Sequence, residues 1–402
     1  MKIGIFSDLN VLGGGIFQQT MGYIDSADKA FRGKIKTVLI VNSSKTSNFL
    51  KSQNIKHLYF NKKNLYNKIY FYLLNFTFFQ KFFNRFKIIN PFEKYIKHHE
   101  IDLLIFASPS YYVFYSKGIN YVLNIWNTEI KKFNFFPEFK RNLSYESQDN
   151  IISEGVKNSF KIISFSKKNE EDLVNFYSCP KEKILSQIMI PHLPKVYEKV
   201  IDKKEIENFN FSKDIKSKFI FLYPAQFYPH KNHKFLLDVV SNIKKKTSND
   251  FVFIFTGRDK GNLNYLKKKV EEYKIKNDIL FYENLHDKQL IELYLKCDAL
   301  ISSTFLGRIS LPLLEAFYFK KPIFYSKDIL DPEFEKRVVA FDLKNVEDLS
   351  SKLIDFMNNN QKFEKLITEN KYFYDQNCNY KLFKNNYLKL ISDFNFYLEK
   401  WK

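Results

Sequence analysis

The sequence has few cysteines, and they lie far apart. Its 402 residues include only Cys179, Cys297 and Cys378, with no C-x-x-C pair. This spacing indicates neither a disulfide framework nor a zinc site, and it fits a reducing compartment. A chain of this length can form two to three domains with hydrophobic cores, which excludes a peptide hormone, a lone binding module and a disulfide miniprotein.

Long apolar runs are also absent. No stretch approaches the roughly 18 uncharged apolar residues that a membrane-spanning helix needs. The opening MKIGIFSDLN has too short an apolar run for a signal peptide, because Ser7, Asp8 and Asn10 follow at once. We therefore expect a cytoplasmic protein, at most peripheral to the inner face of the cytoplasmic membrane.

Two phosphate-binding motifs are missing as well. The sequence contains no G-x-x-x-x-G-K-[ST] loop, and no G-x-G-x-x-G opens the chain. An ATPase and a dinucleotide-dependent oxidoreductase therefore lose support. The pair His98 and His99 and the pair His230 and His233 lack cysteine or carboxylate partners at metal-ligand spacing. We expect no required metal and no cofactor.

Basic and aromatic residues are abundant. Lys and Arg number 64 against 44 Asp and Glu, which gives a net charge of +20, and the chain has 44 Phe and 26 Tyr. Such a charge suits nucleic acid, an anionic membrane surface or a phosphorylated substrate. An AT-rich genome produces the same bias, so the charge alone is a weak indicator, and we expect no nucleic-acid partner.

Short apolar runs alternate with longer charged stretches, which predicts repeated β-α units and parallel sheets. The predicted strands fall into two series, at 2–6, 36–41, 103–107, 121–125 and 161–165, and at 219–223, 251–256, 279–282, 299–302 and 322–325. We therefore predict an α/β protein with two Rossmann-like, doubly wound domains that face a central cleft. The predicted divisions are a first domain at 1–195, a polar linker at 196–216, a second domain at 217–379 and a helix at 380–402 that crosses back to the first domain.

Residues 64–95 form an aromatic segment in which Phe and Tyr alternate with cations such as Lys68, Lys81, Arg85 and Lys87. One interpretation is a buried helix. The other is an interfacial helix whose aromatic side chains enter the lipid boundary while the cations contact anionic headgroups. The sequence leaves both open.

The segment 302–326, SSTFLGRISLPLLEAFYFKKPIFYS, predicts a strand, a loop and a helix that begins near Leu311. Ser310 is a candidate N-cap, and Pro312 is tolerated in the first turn. The free amides and the dipole of that turn suit a diphosphate. Glu315, one turn further on, is then close enough to accept hydrogen bonds from a ribose. The alternative is an ordinary β-α junction with a carboxylate facing the helix.

A second loop precedes this one in the chain. Residues 223–240 read YPAQFYPHKNHKFLLDVV, in which a strand ends, a loop follows and Lys231 stands at the entry to a helix. A lysine at this position can reach the same phosphate as a point charge. The alternative is a solvated surface lysine.

These two segments, 226–233 and 303–322, resemble the family 4 retaining glycosyltransferases of the GT-B fold. The family has a Gly-Arg pair with a Lys five residues after the Arg, both cations contacting the donor diphosphate. Here Ala225 and Gln226 replace the pair, while Lys231 keeps the spacing. The variant Q-F-x-x-H-K-N-H is similar to a branch of the family that acts on bacterial surface polysaccharides.

The family also has two glutamates eight positions apart. Glu315 matches the second, which binds the donor ribose, and Gly307 occupies the position of the first. The resemblance implies that the backbone of the loop holds the sugar and phosphates instead. That stretch comprises Gly307, Arg308, Ile309, Ser310 and Leu311. Arg308 is also a candidate for positioning the donor hydroxyls, with a solvent-facing side chain as the alternative.

In the first domain, Gly13, Gly14 and Gly15 follow the first predicted strand and resemble the glycine loop of the family, which approaches the donor across the cleft. The family often has an Asp and a His after a central strand. Asn127 and Ile130 stand at those positions here, so Asn127 or Glu129 is a candidate replacement. The alternative for Glu129 is a solvated loop residue.

The resemblance implies transfer of a hexose from a UDP- or GDP-type donor to a saccharide or lipid-linked saccharide, with retention of configuration and without a metal. Capsule or lipopolysaccharide synthesis is the implied role. A catalytically inactive GT-B scaffold or binding subunit is the first alternative, because Gly307 and Gln226 depart from the family pattern. A nucleic-acid-binding protein is the second, and only the net charge favours it.

Overall fold

The computed structural model describes residues 1–8, 15–31, 35–74, 76–140, 144–202, 218–307 and 310–401. Within these ranges the chain forms two parallel sheets flanked by helices, as the alternation of apolar and charged segments predicts.

The first domain contains a seven-stranded parallel sheet with the order β3-β2-β1-β4-β5-β6-β7. Its strands are β1 (Lys2–Ser7), β2 (Lys36–Val41), β3 (His57–Tyr59), β4 (Leu103–Phe106), β5 (Tyr121–Ile125), β6 (Lys161–Ser164) and β7 (Ile184–Ser186). Its helices are α1 (Gly15–Phe31), α2 (Ser44–Ser52), α3 (Leu65–Leu73), α4 (Thr77–Arg85), α5 (Pro91–His98), α6 (Pro137–Lys140), α7 (Ser144–Asn158), α8 (Lys167–Tyr177) and α9 (His192–Asp202).

The second domain contains a six-stranded parallel sheet with the order β10-β9-β8-β11-β12-β13. Its strands are β8 (Phe219–Pro224), β9 (Phe251–Gly257), β10 (Ile279–Glu283), β11 (Ala299–Ser302), β12 (Ile323–Ser326) and β13 (Val339–Phe341). The helices that follow β8 are α10 (His233–Ile243), α11 (Leu263–Glu272), α12 (Asp287–Lys296), α13 (Leu311–Tyr318), α14 (Val346–Asn358), α15 (Glu364–Asn377) and α16 (Tyr380–Trp401).

Every strand predicted from the sequence is present, within one or two residues of its predicted ends. The central strands are buried on both faces, as β4 and β5 are along their whole length, so they are continuous apolar runs that are easy to recognise. The structure adds the strands β3, β7 and β13, which were not predicted. Each has three residues and lies at a sheet edge, and such a short strand has no periodicity to detect.

The topology fixes where a ligand can bind. In each sheet the strand order reverses beside the first strand, between β1 and β4 in one domain and between β8 and β11 in the other. Loops that leave the carboxyl ends of strands at such a reversal form a crevice in doubly wound folds. The second-domain loops at this point are 225–232 and 303–307, which belong to the two segments that carry the motifs.

Helix α9 contacts both domains. Its Tyr197 ring lies 5.3 Å from the ring of Phe319, and the hydroxyl of Tyr318 donates to Glu198 at 3.2 Å. The predicted linker at 196–216 therefore begins inside a helix, while residues 203–217 lie outside the described part of the chain.

The C-terminal helix α16 crosses back to the first domain, as predicted. Tyr387 is fully buried, and its ring lies 5.7 Å from Tyr23 and 6.0 Å from Phe31, both on α1. Further along, Phe394 packs against Phe160 with a centroid distance of 5.2 Å. Aromatic burial of this kind stabilises the crossover.

The aromatic segment at 64–95 forms α3, α4 and the start of α5. The interpretation as a buried helix holds for one face of α3 and α4 only, because Phe71, Phe79 and Phe83 are partly buried. Tyr70 is buried, and its ring stacks on Phe83 at 4.6 Å. The exposed aromatic and aliphatic residues are Leu65, Tyr66, Ile69, Tyr72, Phe76, Phe78, Phe82 and Phe86. No helix in the described ranges is both long and apolar enough to cross a bilayer.

The crossover makes a direct stability prediction. Replacing the buried Phe394 by alanine removes a ring from a packed interface and should lower the free energy of unfolding by about 3–5 kcal/mol. Phe396 on the same helix is 58% exposed, so Phe396→Ala should change it by about 0.5 kcal/mol or less. Urea unfolding of both variants tests this, and equal effects would contradict the observed packing of α16.

Candidate functional site

Two loops of the second domain meet at the carboxyl ends of β8 and β11, at residues 225–232 and 303–307. The carbonyl of His230 joins them. It accepts hydrogen bonds from the N–H of Phe305 at 2.9 Å and from the hydroxyl of Thr304 at 3.3 Å. The two loops are therefore held as one unit, so any group on one has a fixed position relative to the other.

Lys231 lies in the first of these loops. The residue as a whole is partly exposed, but its ammonium group is enclosed. This burial lowers the pKa of Lys231 to about 8, and the carboxylates of Glu129 and Glu138 act in the opposite direction. Among the described residues, no carboxylate lies within 4.0 Å of the ammonium nitrogen. An unpaired charge is costly once it is removed from water, so an anion at this position would stabilise the ammonium group.

Gly307 lies in the second loop with a φ of +99°, a conformation that glycine adopts readily and other residues adopt only with strain. A β-carbon built on Gly307 would lie 3.9 Å from the Lys231 ammonium nitrogen. The hydroxyl of Tyr325 donates to its carbonyl at 2.8 Å. The backbone therefore suits glycine, not the glutamate that stands here in the family pattern.

A carboxylate reaches this loop from the other domain. Glu129, which follows β5, is buried, and its Oε2 accepts a hydrogen bond from the N–H of Gly307 at 2.5 Å. The solvated-loop alternative for Glu129 is therefore wrong. Asn127 is exposed at the same strand end, and Ile130 is buried. Of the two candidates in this segment, the structure brings Glu129 to the second-domain loop and Asn127 to the surface.

A second carboxylate crosses the cleft nearby. Glu138 in α6 accepts a hydrogen bond from the N–H of His230 at 3.1 Å and also contacts Nδ1 of the same histidine. Burial lowers the pKa of His230 to about 4, although Glu138 opposes the shift. The sequence did not indicate Glu138, because the contact joins residues 92 positions apart.

Helix α13 begins directly after the second loop. Ser310 is its N-cap residue, but its side chain makes no capping hydrogen bond, and its hydroxyl has no partner within the described residues. Leu311 is the first helical residue. The candidates Arg308 and Ile309 lie outside the described ranges. A helix start of this kind stabilises negative charge through its amides and its dipole.

Glu315 lies on α13 and is 2% exposed. Its Oε2 accepts a hydrogen bond from the hydroxyl of Tyr294 at 2.5 Å, while Oε1 has no partner among the described residues. Burial raises the pKa of Glu315 to about 8, and the hydrogen bond from Tyr294 opposes the shift. One carboxylate oxygen is therefore held in place, and the other is available to a ligand hydroxyl. The contribution of Tyr294 was not predicted.

The first-domain edge of the cleft supplies another polar pair. Ser110 donates to Oδ2 of Asp8 at 2.6 Å, and burial raises the pKa of Asp8. Sequence analysis did not single out this pair. The predicted glycines Gly13 and Gly14 lie outside the described residues, and Gly15 is the first residue of α1.

Gln226 lies in the first loop and is partly buried. Its carbonyl accepts a hydrogen bond from the N–H of Tyr228 at 2.8 Å. A β-carbon on Gly257 would lie 2.7 Å from its Cα, so the loop packs tightly on β9. Gln226 carries no charge, and the positive charge of this loop comes from Lys231.

The histidines of the first loop have distinct surroundings. The ring of His233 is fully buried between Tyr223 and Phe227, at 4.8 and 5.0 Å, and burial lowers the pKa of His233 to about 3. Over the ranges that the structure covers, no group of three or more His, Cys, Asp or Glu is arranged to hold a metal ion. Metal independence stays a prediction.

One family model matches part of the chain. Residues 205–373 match the family model described as glycosyl transferases group 1. These residues include most of the second domain and both of its motif loops. A search of curated protein sequences finds no significant match.

Solved structures with the same architecture cover nearly the whole chain. HepE of Anabaena in complex with UDP-glucose has a TM-score of 0.69 at 12% identity, with 98% of this chain and 100% of that chain covered. A glycosyltransferase from Rickettsia africae has a TM-score of 0.65 at 17% identity, with 98% of each chain covered. The lipopolysaccharide outer core galactosyltransferase WaaB has a TM-score of 0.59 at 16% identity, with 98% and 99% covered. The chain therefore has the GT-B fold, and residues 205–373 are similar to the group 1 glycosyl transferases.

The carboxyl group of Glu315 predicts a pH dependence. Its folded-state pKa of about 8 exceeds the ordinary value of 4.5, so the folded chain holds this proton more tightly than the unfolded chain. The resulting stability is fully present below pH 4.5 and is lost as the pH rises through 8. The wild-type protein should therefore lose up to about 1.4 kcal/mol per pH unit relative to Glu315→Gln between pH 5.5 and 8. Urea unfolding of both proteins across this range measures the difference, and a constant difference would refute the buried, protonated carboxyl.

Proposed function

We propose that this protein is a retaining, family 4 hexosyltransferase that moves a sugar from a UDP- or GDP-type donor to a saccharide or lipid-linked saccharide, without a metal. The observation that carries the proposal is the enclosed ammonium of Lys231. It lies 3.9 Å from the β-carbon position of Gly307, in the loop unit at the carboxyl ends of β8 and β11. A diphosphate provides the anion that this position lacks.

The reaction needs stabilisation of the leaving group. As the bond between the anomeric carbon and the phosphate oxygen breaks, negative charge grows on the nucleoside diphosphate. Lys231 and the first-turn amides of α13 oppose that charge in an enclosed site, where fixed charges and dipoles act most strongly. The acceptor hydroxyl attacks from the same face, its oxygen bonds to the anomeric carbon, and its proton passes to the leaving phosphate oxygen.

The carboxylates have separate roles in this proposal. Oε1 of Glu315 forms a hydrogen bond with a ribose hydroxyl of the donor, while Tyr294 holds the other oxygen. Glu129, fixed by the N–H of Gly307, faces the transferred sugar from the first domain. The acceptor lies at the first-domain edge of the cleft, where Asp8 and Ser110 form a hydrogen-bonded pair and Asn127 is exposed.

A membrane surface is the proposed location. The exposed apolar residues of α3 and α4 form a patch of the kind that marks a binding surface. Exposed cations in and beside these two helices suit anionic headgroups. These cations are Lys62, Lys63, Lys68, Lys81, Arg85 and Lys87. An enzyme held at the cytoplasmic face of a membrane in this way can reach lipid-linked acceptors, and the likeness to WaaB supports a role in lipopolysaccharide, capsule or another surface glycan.

Removal of the Lys231 charge tests the catalytic proposal. Lys231→Ala should lower kcat about 10²–10³-fold, because loss of one charge-stabilising donor costs a few kcal/mol in the transition state. Release of nucleoside diphosphate from a panel of UDP- and GDP-sugars, with and without acceptor, measures the rate. The exposed Lys245 of the same domain gives the control Lys245→Ala, which should retain the wild-type rate.

Two outcomes would overturn the proposal. A wild-type rate in Lys231→Ala would make this residue a surface lysine. An absence of both transfer and donor hydrolysis in the wild-type protein would favour the inactive GT-B scaffold, which Gly307 and Gln226 suggested.

The membrane proposal has its own test. Replacing Phe78 and Phe82 together by serine should weaken binding to vesicles that contain phosphatidylglycerol by more than about tenfold, because burying each ring contributes about 1.5–3 kcal/mol. Sedimentation with vesicles measures the binding, and high salt should also weaken the binding of the wild-type protein. Tyr372 in α15 is 68% exposed, so Tyr372→Ser serves as the control. Unchanged binding of the double variant would exclude this patch.

A further inference from the structure

A single first-domain segment, residues 129–140, contacts both motif loops of the second domain. Glu129 accepts from the N–H of Gly307, and Glu138 accepts from the N–H of His230. These contacts cross the cleft and therefore exist only when the two domains are closed on each other.

The pair of Glu138 and His230 is enclosed. Each side chain is 11% exposed, and aromatic rings cover the histidine. The ring of Phe139 stacks on it at 5.9 Å and that of Tyr228 at 5.1 Å, both with an interplanar angle of 23°. Phe136 meets it edge-on at 6.2 Å. A carboxylate in such surroundings is stable only while its hydrogen bonds are made.

The protonation states fit a charge-assisted hydrogen bond. Although burial acts against it, the hydrogen bonds from His230 hold the pKa of Glu138 below its usual value. Burial also keeps His230 neutral. A neutral histidine donates through Nδ1–H to the ionised carboxylate, while its backbone N–H donates to the same oxygen. Both donors of one residue are thus fixed by one partner.

His230 directly precedes Lys231 in the chain. The carbonyl of His230 also accepts hydrogen bonds from Phe305 and Thr304. His230 therefore links three elements: α6, the loop 225–232 and the loop 303–307. A shift of His230 would move Lys231 with it.

We infer that Glu138 is a positioning residue, which holds Lys231 in place for the donor diphosphate through His230 when the domains close. The inference rests on the proposed function and adds to it a coupling between closure and charge stabilisation. Lys231 acts on the leaving group, and Glu138 acts only through His230.

Kinetics distinguish this role from a general effect on folding. Glu138→Ala should lower kcat about 100-fold, because a small displacement of a charge-stabilising group has an effect of this size. The dissociation constant of the nucleoside diphosphate should rise by a smaller factor than kcat falls, since Glu315 and the first turn of α13 also hold the nucleotide. Glu138→Gln should restore most of the rate, because its amide oxygen accepts both hydrogen bonds.

A double-variant cycle tests the path through His230. His230→Ala should match Glu138→Ala, and the two changes together should be no worse than either alone. Glu146 is exposed on α7 of the same domain, and Glu146→Ala should retain the wild-type rate. Additive losses, or a wild-type kcat in Glu138→Ala, would overturn the inference.

Small-angle X-ray scattering separates this inference from the proposed function. Without donor, Glu138→Ala and His230→Ala should have a larger radius of gyration than the wild-type protein and Glu138→Gln, because a closing contact is lost. If the wild-type protein is inactive but Glu138→Ala has a larger radius of gyration, the proposed function is wrong and the closing contact is confirmed. An unchanged radius of gyration in the alanine variants would overturn the closing contact, whatever the activity.

Discussion

The ammonium group of Lys231 lies where the two domains meet, and its enclosure constrains everything around it. A cation that is removed from water needs opposite charge nearby. The second-domain loops offer backbone carbonyls and N–H groups, and the nearest carboxylates, Glu129 and Glu138, come from the first domain. Since no described carboxylate approaches within 4.0 Å, the ammonium group has no close counter-ion among the described residues.

The backbone conformation explains the departure from the family pattern at Gly307. Its φ of +99° strains any residue with a side chain, which disfavours a glutamate, although the 3.9 Å from its β-carbon position to Lys231 is an ordinary contact distance. The structure brings Glu129 of the opposite domain to the N–H of Gly307 instead. In this chain the carboxylate at the loop depends on domain closure, and so does the position of Lys231. Closure that assembles the site also excludes water from it.

The local order of apolar and polar residues was sufficient to predict most strands, the two motif loops and the crossing helix, because each of these depends on consecutive residues. Lys231 and Glu315 could be predicted as site residues because each lies shortly after a recognisable strand. Contacts between distant residues were not predictable in this way. Glu138 lies 92 positions from His230, and Ser110 lies 102 positions from Asp8. The three-residue edge strands were not predicted because they are too short to show a hydropathy pattern. They are strands because they pair with a neighbouring strand.

The enclosed ammonium group of Lys231 should bind a nucleoside diphosphate. Thermal unfolding of the purified protein measures this binding. The ligands are UDP, GDP, CDP and ADP, each with and without EDTA. A ligand at 100 times its Kd stabilises the folded state by about 2.7 kcal/mol. UDP or GDP should raise the Tm, and EDTA should not abolish the shift. A Tm that none of the four nucleotides changes would contradict this prediction.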